Sequence, residues 1–595
     1  MATLSYLYKH KASLMEEVKE RIMRQTLEAL FFEDIIKAIK KGTDWVFNGK
    51  SGKGDIIQYS CKAVEKWSFG RIKIEKNSIK REGEKCTNLY LFLEEVIQNN
   101  LTGSYTSQFI HELLETLVKD HQSKQFQLDQ IPEQDQHYEA LESHMVDGHP
   151  YHPSYKSRIG FSLEDNFAYG PEFNQEVLIY WVAVNQQLID VNTLKKMSFE
   201  EIIKHHIKNE DKLRFLQVLK EKGSEEKNYV FLPVHPWQLK NKIQSLFVQQ
   251  LMDKDIVILG TANSTYRAQQ SIRSLSRREK TEAPYIKFPL SITNTSTSRI
   301  LAHHTTQNAP LISDWLNKII EDDSLLKKEK FQILREVMGI SFRYDQLNSI
   351  QYGMTYGTLG AIFRENVSTY LEDNEEAWPL NALSHIQKNG KLFIQAAIDQ
   401  YGVEAWSEAL IKVVTIPIIH LLFAHGIALE SHAQNIILVI ENQFPKRIII
   451  KDLHDGVRYT PDQLLKPDWA PKLNPEPESH RKFNRYSFIQ AKDSAEVRDY
   501  TYDAFFFICM TEICFAFEKS GLSEKDFWRT CVKTIAAYQN AHPEFAERFK
   551  MFDLFSEDAL IEEMTKRRIY GDGQLYFRKA KNPLLLAWTE INEKK

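Results

Sequence analysis

Glu430-Ser-His432-Ala-Gln-Asn435 runs into Ile436-Ile-Leu-Val-Ile440, a polar Glu441-Asn-Gln-Phe-Pro-Lys446, Arg447-Ile-Ile-Ile450, and then Lys451-Asp452-Leu-His-Asp455-Gly456. The two apolar runs are rich in β-branched residues and flank a turn-like segment, so the stretch reads as a β-hairpin. A hairpin returns to where it began. Asn435 and Asp452 are therefore expected side by side at its open end, with Glu430 a turn away. Oxygen donors from these three side chains suit a hard divalent ion such as Mg²⁺. The plainer alternative is a helix end capped by polar groups beside a solvated turn. Against it, Glu430 and Asn435 close the most apolar stretch of the chain, Val413 to Leu429, which reads as a buried core helix. Thr415, Pro417, His420 and His425 interrupt that stretch, so no membrane span is expected there.

The chain has 595 residues, more than one core accommodates. A net charge of −4 gives no overall basic bias, which disfavours nucleic acid as a partner class. Cys61, Cys86, Cys509, Cys514 and Cys531 are irregularly spaced and odd in number, so no disulfide framework is expected. The first ten residues carry no apolar h-region. A reducing, cytoplasmic setting fits both features.

Working outward, Ala12 to Lys40 has the spacing of one or two amphipathic helices, Ile56 to Ile79 holds short β-like runs, and Asn88 to Val118 returns to helical spacing. Gln122 to Gln136, rich in Gln and Asp, reads as a linker. From His149 to Leu301 turns and strands dominate, with strands expected at Tyr229–Val234, Ile256–Leu259 and Tyr285–Phe288. From Leu311 the pattern is mostly helical apart from the hairpin. Tyr459 to Pro477 contains five prolines and must be irregular. These breaks divide the chain into residues 1–136, 137–305 and 306–595.

Three clusters precede the hairpin. His149-Pro-Tyr-His152-Pro-Ser-Tyr-Lys156-Ser-Arg158 places imidazoles and cations on proline-stiffened turns that suit phosphate or carboxylate. Its His-x-x-His spacing, with His144 as a third donor, also permits zinc, but no cysteine or His-Glu-x-x-His helix accompanies it. Ser271-Ile-Arg273-Ser274 offers hydroxyls and a guanidinium. Lys287 lies within an apolar strand, where a lysine either reaches solvent or meets an anion, and Thr295 and Arg299 follow. No Gly-x-x-x-x-Gly-Lys-Ser/Thr and no Gly-x-Gly-x-x-Gly occurs, so the P-loop and Rossmann signatures are missing.

In order and long-range spacing, His149-Pro-x-His152-Pro-x-x-Lys156-x-Arg158-x-Gly160-Phe161, Val234-His235-Pro236-Trp237-Gln238, Ser271-x-Arg273, Lys287 with Thr295 and Arg299, and Glu430-x-His432-x-x-Asn435 with Asp452 resemble the IucA/IucC family of siderophore synthetases, the type independent of non-ribosomal peptide synthetases. The resemblance implies an α+β fold shaped like a cupped hand. Its thumb, fingers and mostly helical palm would fall in the three segments above, and the palm would carry a kinase-like metal-binding β-hairpin. It implies activation of a carboxylate of citrate, a citrate derivative or α-ketoglutarate by ATP and Mg²⁺. Acyl-adenylate formation would release pyrophosphate, and an amine or hydroxyl would then attack, giving an amide or ester and AMP. It implies nucleotide contacts from His149, His152, Lys156, Ser271, Arg273, Ser274, Lys287 and Arg299, and substrate contacts from Thr295, Arg299 and His432. Arg299, Lys287 and His432 would act in catalysis, and Glu430, Asn435 and Asp452 would hold the metal. A homodimer is the family habit.

The chemistry is consistent with this set. A carboxylate attacking an α-phosphate brings two anions together, so the site must be strongly cationic. The competing reading is a small-molecule kinase, because protein kinases also hold Mg-nucleotide through an Asn and Asp pair. It needs a base beside the acceptor hydroxyl, and His432 stands in that neighbourhood instead.

Overall fold

The computed structural model describes residues 12–130, 137–145, 147–279, 282–295, 297–387, 389–482, 489–557, 559–571 and 574–593. The expected hairpin forms as Ile436–Glu441 and Phe444–Ile450, with Ile436 opposite Ile450. Its turn is tighter than the six polar residues suggested. Asn442 and Gln443 both adopt positive φ, 51° and 63°, the left-handed conformation a two-residue hairpin turn requires. Both strands are buried along nearly their whole length, as continuous apolar runs demand. They sit inside a four-stranded sheet between Gln332–Ile333, which runs parallel to Phe444–Ile450, and Glu375–Pro379.

A six-stranded sheet supplies the opposite wall of the site, in the order 266–268, 274–277, 285–287, 360–364, 336–342, 189–193. All its neighbours are antiparallel. Two of these strands fall after Leu311, where a helical pattern was expected. Glu336–Phe342 and Gly360–Arg364 are short, wholly buried strands, and short apolar runs carry no periodicity that separates strand from helix. The helix His303–Asp322 lies on this sheet. A Cβ at Gly339 would come within 1.9 Å of the Thr306 carbonyl oxygen, so only glycine lets helix and sheet backbones touch there.

The strands expected at 229–234 and 256–259 form as Tyr229–Val234 and Ile256–Thr261, both paired with Tyr180–Asn185. The expected N-terminal helix spans Ala12–Phe32. The segment expected to be a linker is helical through Gln130, as the end of Thr106–Gln130; residues 131–136 lie outside the described residues. Beyond the strand that ends at Tyr459, the segment to Pro477 holds only two short 3₁₀ turns, as its prolines require.

One apolar core joins the two ends of the chain, from Val18 to Ala587. Phe32 stacks on Phe507 at 5.4 Å, and Phe69 meets both Phe507 and Trp528 edge-on. Val403–His425 and Ser494–Glu518 are long and apolar enough to cross a membrane, yet 72% of the most apolar 18-residue stretch of each is buried inside the fold. They are the core helices against which the rest packs.

Candidate active site

A cavity of about 1250 Å³ opens between the six-stranded sheet and the hairpin. Ser271, Arg273, Lys287, Thr295, Arg299, Glu430, His432, Asn435, Asp452, His149 and Lys156 all line it, along with many neighbours. Residues up to 303 positions apart in sequence thus share one space.

The open end of the hairpin brings its acceptors together as expected. Lys451 N donates to the Asn435 carbonyl at 3.0 Å, which closes the hairpin and sets Asp452 just beyond it. Asn435 Nδ2 donates to the Glu430 carbonyl at 3.0 Å, which reserves its Oδ1 as an acceptor. Glu430 does not end a helix. The helix stops at Gly426, in the left-handed conformation, and the three-residue strand Ile427–Leu429 follows. That strand pairs with Val457–Tyr459, Leu429 opposite Val457, and Glu430 N donates to the Gly456 carbonyl at 2.8 Å. The loop 452–456 is folded back tightly. Asp452 has φ 64°, a conformation an aspartate tolerates only at a cost. A Cβ at Gly456 would stand 2.4 Å from the Asp452 carbonyl oxygen.

Lys287 meets an anion. It is 6% exposed, and its Nζ lies 3.2 Å from Asp452 Oδ1. Arg364 forms a second, shorter ion pair with the same oxygen. Burial opposes ionisation of Asp452, but Lys287 and Arg364 outweigh it and hold the carboxyl well below its usual range. Burial lowers Lys287 to about 8, with Asp452 opposing. His454 completes a chain. A proton on its Nδ1 reaches Glu336 Oε1 at 2.5 Å, while its Nε2 accepts from Lys287 Nζ at 3.3 Å.

Facing this group, Arg273 Nη1 donates to the carbonyls of Arg299 and Ile300 at 3.3 and 2.8 Å, and so fixes the strand that carries Arg299. Arg299 Nη2 donates to the Asn294 carbonyl at 3.2 Å, but its buried Nε has no partner. Burial, reinforced by Arg273, brings the Arg299 guanidinium down to about 10. Two half-buried guanidiniums near enough for their charges to act on each other are donors of the kind that suits an anion. Thr295, at φ 58°, stands at the turn between the strands 290–294 and 297–299.

His149 is held neutral. Burial, then His432, Arg71 and Arg299, drives its pKa down to about 3. Its Nδ1 accepts from the backbone N–H groups of Tyr151 and His152 at 3.2 and 2.9 Å, which leaves the Nε2 proton as a donor. His432 is likewise lowered by burial, with Glu430 opposing.

Three candidate nucleotide contacts are placed differently. His152 is fully buried behind His149, and its Nδ1 accepts from Ser154 N at 3.2 Å. Both imidazoles thus spend Nδ1 on the turn, which does not favour the zinc reading. Ser274 is buried within its strand, opposite Lys287. Lys156 borders the cavity, but its ammonium sits between Asp120 at 3.0 Å and Glu172 at 3.3 Å. Its charge is neutralised inside the fold, as is that of Arg158 on Glu172. Lys451 is also turned inward and pairs with Glu142. The residues that sequence reasoning missed are Arg364, Glu336 and the His454 contact; a strand-end arginine beside short apolar runs carried no local signal.

The sequence model of the IucA / IucC family matches residues 137–385, and a second, described as ferric iron reductase FhuF-like transporter, matches 404–576. A Staphylococcus aureus protein, 2-[(L-alanin-3-ylcarbamoyl)methyl]-3-(2-aminoethylcarbamoyl)-2-hydroxypropanoate synthase, is 38% identical over 96% of this chain and 93% of its own length. The chain belongs to the IucA / IucC family. A Bacillus anthracis family member, citryl-spermidine/3,4-dihydroxybenzoyl-citryl-spermidine:spermidine ligase, is 34% identical over 96% of this chain and 94% of its own. The crystal structure of petrobactin biosynthesis protein AsbB from Bacillus anthracis superposes with a TM-score of 0.91 at 32% identity, covering 100% of both chains. The family's mixed α/β fold is the one described above.

Proposed function

We propose that this chain is an ATP-dependent siderophore synthetase that adenylates a carboxylate of citrate or a citrate-like acid and condenses it with an amine. The observation that carries the reading is the shared cavity, with Arg273, Lys287 and Arg299 on one side and Glu430, Asn435 and Asp452 on the other. The reaction needs cations around an attacking carboxylate and a triphosphate. In this reading the three oxygen donors hold Mg²⁺, which supplies Lewis-acid charge on the phosphates when bound. Lys287 and Arg273 take the phosphates, with Ser271 and the His149 Nε2–H as further donors. Arg299 bridges phosphate and carboxylate, and Thr295 and His432 contact the acid. His152, Ser274 and Lys156 then act by supporting the wall. The thumb, fingers and palm division at residues 136 and 305, a homodimer and a cytoplasmic setting belong to the same reading.

The far wall favours an amine over an alcohol. Asp499, Asp503, Glu512 and Glu562 also line the cavity; Asp499, Glu512 and Glu562 are paired with Arg498, Arg71 and Arg567, so Asp503 is the carboxyl placed to meet an ammonium-bearing acceptor. The names of the relatives, a synthase of an aminoethylcarbamoyl product and a spermidine ligase, support the same choice. The small-molecule kinase alternative gains no support from these synthases and ligases.

The test is hydroxylamine trapping over citrate, mono-amidated citrate and α-ketoglutarate, with nucleotide products resolved. Hydroxamate, AMP and pyrophosphate are expected with one of these acids. ADP formation, or no acid-dependent ATP use with any of them, would reject the reading.

A further inference from the structure

Apart from the residues that line the cavity, Asp323, His420 and His425 converge on one point. Their donor atoms all lie within 4.8 Å of one another. His420 Nε2 and His425 Nε2 each stand 3.0 Å from the same oxygen, Asp323 Oδ2. The histidines are 3% and 5% exposed. They come from the end of the long core helix and the π-turn that closes it, so one rigid segment presents both rings.

We infer that Asp323, His420 and His425 form a site for a divalent transition ion, zinc by the chemistry of its donors. Two imidazole nitrogens and one carboxylate oxygen are the donor set of three-ligand zinc sites. Zinc holds such donors at about 2.0–2.2 Å, which spaces them about 3.3 Å apart in a tetrahedron; the two nitrogen–oxygen spacings of 3.0 Å ask for shifts of a few tenths of an ångström, and the two nitrogens lie within 4.8 Å of each other. The surroundings are those of a supported metal ligand. Asp323 Oδ1 accepts from Leu325 N and Leu326 N at 2.8 and 2.9 Å, which fixes the carboxylate and leaves Oδ2 to the ion. The Tyr538 hydroxyl lies 2.7 Å from His420 Nδ1. In the metal-bound tautomer it accepts the Nδ1 proton and holds Nε2 toward the ion. The Asp323 side chain remains 16% exposed, so water can reach a fourth position. Zinc here would tie the end of helix 303–322 to the core helix, one turn before Gly426 and the strand that leads to Glu430.

The test is zinc titration of the full chain, stripped with chelator and kept in excess magnesium to occupy the hairpin donors. One zinc per chain is expected, with a raised melting temperature and, on cobalt substitution, the intense visible bands of a low-coordinate N/O site. His425→Gln keeps an N–H for Asp323 but removes the ligand, and should weaken zinc binding at least 100-fold while an unchanged circular dichroism spectrum and a cooperative melt in excess chelator show that the fold survives. His425→Cys should restore binding, because a thiolate ligates zinc. A wild-type chain that binds no zinc, or a His425→Gln chain that binds it as tightly as wild type, would overturn the site. Because activation chemistry is read separately, failure of the zinc site leaves the synthetase reading standing, and the reverse.

Discussion

Lys287 Nζ lies 3.2 Å from Asp452 Oδ1, so the six-stranded sheet and the hairpin are joined at the point where the cavity's cations meet its acceptors. Arg364 grips the same oxygen. Asp452 thus keeps two buried cations paired, and in the proposed reading it has a second task, with its remaining oxygen turned to a metal.

Asp452→Ala separates these tasks badly. It leaves Lys287 and Arg364 buried and unpaired, a loss on the order of 3–5 kcal/mol. Asp452→Asn keeps the shape and some hydrogen bonding. The expected outcome is a folded Asp452→Asn chain with acid-dependent pyrophosphate release reduced about 10²–10³-fold, against an Asp452→Ala chain that also melts several degrees lower. Calorimetry and a pyrophosphate assay read the two effects.

Arg299→Lys should not behave conservatively. The guanidinium uses one edge on the Asn294 carbonyl and keeps its Nε free, a two-sided geometry an ammonium cannot reproduce. Hydroxamate formation should fall at least about 100-fold, with the acid's KM rising. Unchanged kinetics would remove Arg299 from the carboxylate contact.

Asp503→Asn tests the acceptor wall. Asp503 is pushed up to about 8 by burial and by Glu562, with Glu430 adding, so a cation beside it would be welcome. The variant should raise KM for the amine about tenfold or more, while hydroxylamine-trapped activation, which needs no ammonium anchor, stays near wild type.

Gly456→Ala should damage the site without touching a charged group. The new Cβ would stand 2.4 Å from the Asp452 carbonyl oxygen and 3.3 Å from Glu430 Cβ. Displacing this loop by about 1 Å is expected to cost on the order of 10²-fold in kcat. Wild-type turnover would show that the loop geometry is not needed.

Glu33→Gln should flatten the pH dependence of stability. Glu33 is fully buried. It accepts from Tyr151 Oη at 2.5 Å, Thr565 N at 3.0 Å and Lys566 N at 2.6 Å. Burial outweighs those bonds and raises its carboxyl from 4.5 to about 7. Between those values the folded chain keeps a proton that the unfolded chain has released. Stability therefore falls as pH rises through that window and levels off above it. The wild-type melting temperature should drop between pH 5 and pH 7.5 by more than that of Glu33→Gln.

The hairpin was readable because its two runs are buried on both faces and its turn is polar, so composition and structure coincide. Lys287 was half readable: a lysine in an apolar strand had to find solvent or an anion, and only the fold says that the anion is Asp452. Arg364 was not readable. Its place depends on Tyr285 lying opposite Arg364 across two strands far apart in sequence, and no local spacing encodes that pairing. Lys156 misled for the same reason. Its partners, Asp120 and Glu172, lie 36 and 16 residues away, so its cation looked free beside the neighbouring histidines. The end of the core helix at Gly426 was hidden because Ile427–Leu429 is as apolar as the helix it follows.

The stacking of Phe32 on Phe507 also bears on the order in which the polypeptide matures. The leading segment emerges from the ribosome with its greasy face uncovered, and the rings that will cover it are made some 475 codons later. At roughly 5–20 residues per second that delay is about 25–95 s. Trp45, Phe47 and Tyr151 cover part of that face early; the rest stays open until the late helices are made, the condition in which unfinished chains aggregate.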